Sequence, residues 1–171
     1  MDFEQLIQTR RSVRSFCDRE VPEGMFHQLL QAALAAPSAG NLQPWHFYVV
    51  RERRLKDRLC ECFSFSWPKQ ASAFLVVCAD AARSAEKYGE RGETLYCIQD
   101  TAAAVENILL CAHGLGLASC WIGSFDEQLC AKLLHIRPGL RPVALLPIGY
   151  PAEQPQRRPR RPLAEVVTFL D

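Results

Sequence analysis

The 171-residue chain lacks long apolar runs and has no excess of charge of either sign. Its longest apolar stretch, Phe74 to Ala79, is far too short to span a bilayer. The N-terminal segment MDFEQLIQTRRSVRSF carries charge throughout and has none of the apolar core of a secretory leader. These features predict a soluble, cytoplasmic protein with no membrane partner. Twenty Lys and Arg against nineteen Asp and Glu leave a formal charge of +1, so no global field recruits nucleic acid, and any anion site must be local. The motifs GxxxxGK[ST], HExxH, GxSxG and CxxC are all missing, which removes the signatures of P-loop hydrolysis, zincin chemistry, serine-hydrolase chemistry and thioredoxin-type exchange. Four histidines show no ligand spacing, and Cys60 and Cys62, two apart on a predicted helix, point to different faces, so no metal site is expected. Eight cysteines are scattered through apolar stretches and are read as reduced thiols.

What is present is an ordinary globular composition, 49% apolar and 23% charged, in a length that fits one domain over residues 1–171. A short helix over Asp2–Thr9 delivers the chain to Arg10. A second begins at Pro22, presents Met25, Leu29, Leu30 and Ala33 on one face, and stops before Pro37. Residues 46–50 (HFYVV) and 74–80 (FLVVCAD) predict strands around a charged helix, ERRLKDRLCECF. The longest helical signal runs from Leu95 to Gly116, with Gly114 as its expected C-cap. A strand and turn (ASCWIGSF), a helix (FDEQLCAKLLHI) and a strand (VALLPIGYP) follow, and then an extended Pro/Arg-rich arm from about residue 152 to 171. GLG at 114–116 follows a helix, so it reads as a helix stop and not as a dinucleotide fingerprint. Strands alternating with helices predict a layered α/β or α+β domain with a mixed sheet and a long central helix.

Four segments carry candidate chemistry. RRSVR at 10–14 concentrates fork-shaped guanidinium donors and the Ser12 hydroxyl, a set suited to phosphate or carboxylate, against the plainer reading of a solvated basic turn. RRPRRP adds further arginines on a proline-stiffened arm; its alternative is a nucleic-acid tether, which the near-zero net charge disfavours. PSAGNLQPWHF offers hydroxyl and amide groups with close backbone access, enough to hydrogen-bond the edge of a planar heterocycle. In CWIGSF, Gly123 lets the backbone approach a ligand beside Trp121 and Ile122, unless this is only a strand end.

Together, RRSVRSF, PSAGNLQPWHF, GLGLASCWIGSF and LLPIGYP with RRPRRPLAEVV resemble the short form of the FMN-dependent nitroreductase family over nearly the whole chain. The resemblance implies an α+β fold and an intertwined homodimer with FMN at the interface. It implies that Arg10, Arg11 and Ser12 hold the FMN phosphate and ribityl chain, that Arg14 lies near the flavin pyrimidine edge, and that Arg158 and Arg160 return to the phosphate. Pro37, Ser38 and Asn41 would come from the other subunit, and Ile122 and Gly123 would bring backbone to the flavin N5. The implied reaction is ping-pong hydride transfer from NADH or NADPH through flavin N5 to a nitroaromatic, quinone or similar small-molecule acceptor, with no catalytic side chain. A flavin sensor or store without turnover, and a flavin-dependent dehalogenase-like reductase, are the alternatives. The segment SFSWPKQASA is shorter than its counterpart in longer relatives; Lys69 offers a replacement polar contact and Trp67 a cover, or both belong to an ordinary surface loop. Cys120, beside the expected flavin wall, reads as a buried structural thiol.

Overall fold

A strand covered on both faces must be apolar at every position, and Ala73–Asp80 meets that condition: each residue from Ala73 to Ala79 is buried. In the computed structural model, which describes residues 2–170, this strand (β2) lies inside a four-stranded sheet. Its neighbours are β1 (Trp45–Val50) and β4 (Leu140–Gly149), and a two-residue β3 (Ala118–Ser119) closes the far edge in the order β1-β2-β4-β3. Tyr48 sits opposite Val76, and Val76 opposite Leu145. All three ladders are antiparallel. Among the described residues the sheet is mixed only through one isolated parallel bridge, Ser12 to Ser119, because no helical crossover joins neighbouring strands in the same direction.

The two-residue period of β2 divides the core. Ala73, Leu75 and Val77 face helix α2 (Glu23–Leu34) and the long helix α5 (Cys97–Gly114), meeting Leu29, Ala33, Val105 and Ile108. Phe74, Val76 and Cys78 face the other way, onto Leu59 of α3 (Arg53–Leu59) and Cys130 and Leu133 of α6 (Glu127–Leu133). On α2 the fully buried stripe is Phe26, Leu29 and Ala33, with Met25 and Leu30 packed at its margin, and the helix ends at Leu34, ahead of Pro37. At the N-terminus a reciprocal capping pair between Asp2 and Gln5 opens α1 (Phe3–Thr9), which ends at Arg10.

The central helix is longer than its periodicity predicts. Ahead of α5 lie α4 (Ala81–Arg91), kinked at Gly89, and a π-helical turn, Gly92–Tyr96, so helical segments follow one another from Ala81 to Gly114. The N-terminal part is charged and holds Gly89 at φ 56° and ψ −142°, a conformation open to glycine, which hides the helix from a hydrophobic-pattern reading. The C-terminal glycine also differs from expectation. Gly116, at φ +72°, takes the left-handed position; its N–H donates to the His113 carbonyl and the Leu117 N–H donates to the Ala112 carbonyl, a Schellman closure.

All eight cysteines are free thiols. Burial pushes Cys60 and Cys62 up to about 11 and Cys78 and Cys130 up to about 12, which keeps them protonated and unreactive near neutral pH. Among the described residues no helix is long and apolar enough to cross a membrane.

Candidate functional site

The chain leaves α1 at Arg10 and runs extended between two partners. On one side Ser12 bridges Ser119, with the Val13 N–H donating to the Ser119 carbonyl at 3.0 Å. On the other, Phe16 bridges Pro151, the Cys17 N–H donates to the Tyr150 carbonyl and the Ala152 N–H donates to the Ser15 carbonyl. The root of the C-terminal arm is thereby tied to the RRSVR segment. Glu153 tightens the tie: its Oε1 accepts from the Arg14 N–H at 2.5 Å and the Ser15 N–H at 3.0 Å. The arm then runs beside α1, where Arg157 Nη2 donates to Gln8 Oε1 at 2.9 Å.

This path brings the two basic runs together. Arg10, Arg11, Ser12 and Arg14 line one cleft of about 910 Å³ with Arg158 and Arg160, although the runs lie at opposite ends of the sequence. Several of its cations are already engaged. Arg10 faces Glu106 at 3.7 Å, and Arg11 donates to the Gln8 and Arg10 carbonyls. Arg158 and Arg160 are exposed and have no acidic partner among the described residues, whereas the adjacent Arg161 is paired with Glu165. Guanidinium groups outnumber carboxylates here, so the cleft suits an anion with several oxygens.

His113, on the last turn of α5, borders the same region. Thr9 Oγ1 donates to the Gln5 carbonyl and lies 2.8 Å from His113 Nε2. Burial, with the nearby Arg10 and Arg11, holds the ring below the usual histidine range. The folded protein therefore resists a proton that the unfolded chain accepts as the pH falls through about 6.5. Above that pH the ring is neutral in both states and adds no slope; below it, the His113 contribution to stability is progressively lost. His113→Gln is expected to reduce the decline in urea-unfolding free energy between pH 7 and pH 5, and an unchanged slope would show that the ring titrates alike in both states.

The loop at Pro37, Ser38 and Asn41 lies elsewhere in this chain. Ser38 Oγ accepts from the Gln43 N–H at 3.0 Å, and Asp100 Oδ1, in the first turn of α5, accepts from the Ala39 N–H at 3.1 Å. Arg10 and the Thr9 contact meet α5 at Glu106 and His113, which lie about 9 and 20 Å further along the helix axis. Gly40, Asn41 and Gln43 all take positive φ, a region that glycine and asparagine enter readily and glutamine does not. Asp100 is 7% exposed, its Oδ2 has no hydrogen-bond partner, and burial raises its carboxyl above the usual range against the lowering contact from Ala39.

Ile122 and Gly123 follow Ser119 beside the RRSVR segment. The Ile122 side chain is buried in the α3 and α6 core, and its N–H and C=O are both paired with Leu145, at 2.9 and 3.0 Å. Of the two, the exposed Gly123 alone retains an unpaired N–H among the described residues. Cys120 is buried beside Ser12 and Arg14; burial raises its thiol, with Arg14 opposing, in keeping with a structural role. The positioning roles of Gln8, Glu153 and Asp100 had no signal in the sequence, since each acts across the fold on a distant backbone or side chain.

The family model described as "Nitroreductase family" matches residues 7–150. A protein of Archaeoglobus fulgidus provisionally named NADH dehydrogenase/NAD(P)H nitroreductase is 40% identical over 155 residues, covering 88% of this chain and 86% of that protein. An FMN reductase [NAD(P)H] of Bacillus subtilis is 28% identical, covering 89% of this chain and 67% of its own. Among solved structures, a nitroreductase family protein from Clostridium difficile 630 superposes with a TM-score of 0.87 at 28% identity, covering 99% of this chain and 98% of that one.

Proposed function

Since the chain belongs to the nitroreductase family, we propose that it is an FMN-dependent NAD(P)H oxidoreductase that works as a homodimer and reduces a nitroaromatic, quinone or similar small acceptor. The observation that carries this reading is the meeting of both arginine runs in one cleft, with Arg158 and Arg160 unpaired. The donor set fits FMN. A phosphate dianion takes several guanidinium donors at once, and Arg10, Arg11, Arg158 and Arg160 supply them from two chain segments, with Ser12 available to the ribityl hydroxyls. When bound, FMN supplies a centre that accepts a hydride from the nicotinamide and gives one to the acceptor.

The protein's own residues hold and polarise. Arg14 sets a positive charge on the pyrimidine side, which favours an anionic reduced ring. The Gly123 N–H is the free backbone donor for the flavin edge, while Ile122, its own amide committed to Leu145, serves as the packed support behind it. Pro37, Ser38 and Asn41 act on the cofactor of the other subunit, since their loop lies well away from the cleft of their own chain. The same dimer accounts for apolar side chains left open at two places, Phe3 and Ile7 on α1 and Leu163, Phe169 and Leu170 on the arm.

A visible absorption spectrum of the purified protein, before and after anaerobic NADH or NADPH, tests the reading. Flavin bands that bleach with either nicotinamide are expected. Bands that persist would point to a flavin store or sensor, and absence of bands after reconstitution with FMN would overturn the cofactor assignment.

A further inference from the structure

Between Cys62 and Ala73 the sequence alternates as Phe63-Ser64-Phe65-Ser66-Trp67, and the structure stacks the three aromatic rings. Phe63 and Phe65 lie 4.9 Å apart at 13°, and Phe65 and Trp67 lie 5.3 Å apart at 8°. The ladder is anchored at both ends, on the fully buried Phe74 of β2, 6.3 Å from Phe63, and on Phe16, 6.4 Å from Trp67. Phe16, Val13, Ala71 and Ala118 form the small core against which Trp67 packs, so this ring is fixed by the segment that carries Arg14. The Arg14 guanidinium sits over the Trp67 ring, 5.9 Å from its centroid. Glu153 holds the Arg14 backbone, but among the described residues no carboxylate pairs with its side chain.

We infer that Trp67 is a positioning residue for Arg14, an aromatic face at the end of a rigid ladder that holds the guanidinium at the cleft while leaving its charge unspent. This rests on the proposed FMN site. A carboxylate would orient the arginine equally well but would cancel the positive charge that favours reduced flavin. An aromatic face attracts the cation through its quadrupole and contributes no net charge. Arg14 is exposed and long, and without the ring it loses rotamer restriction as well as attraction.

A double-mutant cycle on the full-length FMN-loaded protein tests the inference, with the flavin midpoint potential as readout. Arg14→Gln is expected to lower the potential. Trp67→Leu is expected to lower it in the same direction by about fivefold in the reduced-to-oxidised binding ratio, or about 20 mV for a two-electron couple. Trp67→Phe, which keeps a ring face, should recover most of the loss, and Trp67→Leu should add nothing in the Arg14→Gln background. A full Trp67→Leu effect in that background would overturn the inference, as would no effect of Trp67→Leu where Arg14→Gln does act. No effect of Arg14→Gln itself would overturn the Arg14 assignment as well. The cycle is repeated by urea unfolding of the flavin-free protein, where zero coupling between the two positions would remove the contact itself, whatever the cofactor.

Discussion

Arg158→Ala combined with Arg160→Ala is expected to weaken FMN binding by about a hundredfold or more, measured by fluorescence titration of apoprotein with FMN at fixed salt. A hydrogen bond to a charged group contributes about 1.5 to 3 kcal/mol, and both side chains are exposed in the cleft with no acidic partner among the described residues. The loss is not total, because Arg10 and Arg11 reach the same cleft from α1. Arg161→Ala is the internal control. Arg161 is paired with Glu165 at 3.3 Å and donates to the Glu165 carbonyl, and its removal should change FMN affinity less than twofold, within the range of an exposed pair. Charge on the arm as a whole would make the three substitutions equivalent; a local phosphate site separates them. Equal affinities for the double variant and the parent would remove the arm from the cofactor site.

Gly92→Ala is expected to lower stability by about 3 kcal/mol, the upper range for overpacking, and the melting temperature by about 6 to 12 °C. The reason is space and not backbone freedom. At Gly92 a β-carbon would stand 2.3 Å from the Ser84 carbonyl oxygen and 2.6 Å from its carbon, with the Ala85 nitrogen at 3.1 Å. These are backbone atoms of α4 on the far side of the Gly89 kink, so relief requires moving that helical segment and not rotating a side chain. Gly24→Ala makes the contrast. Gly24 is an exposed residue of α2 with nothing within 4 Å of an added β-carbon, and the substitution should stabilise the protein by about 0.5 kcal/mol. A similar small effect at both positions in thermal melts would mean that the turn at Gly92 yields easily.

Much of the architecture was legible from local pattern. The unbroken apolar run at 74–79, the helical face of 22–36 and the long periodicity after Leu95 correspond to β2, α2 and α5, because burial demands a period that a strand or helix cannot hide. The charged helix α4 escaped that reading. Its sequence, AARSAEKYGER, has little apolar face, and its glycine at residue 89 kinks the backbone, so the helical segments on either side do not share one period. Sheet direction also escaped it, since antiparallel and parallel central strands are equally apolar; only the paired register of β2 with β1 and β4 decides the matter.

The site divides the same way. Residue type and order along the chain determined that phosphate-grade donors occupy both ends and that a polar, glycine-containing loop follows α2, and from these came the resemblance to a flavoenzyme family. That the two ends share a cleft was decided by tertiary structure. It depends on the Ser12–Ser119 and Phe16–Pro151 bridges and on Glu153, contacts between residues more than a hundred positions apart that leave no periodic trace. The same holds for which donors remain free. The Ile122 amide is spent on Leu145 and the Gly123 amide is not, and Arg161 is paired while Arg158 and Arg160 are open. A sequence specifies which groups exist; the folded chain's own hydrogen bonds select those left for a ligand.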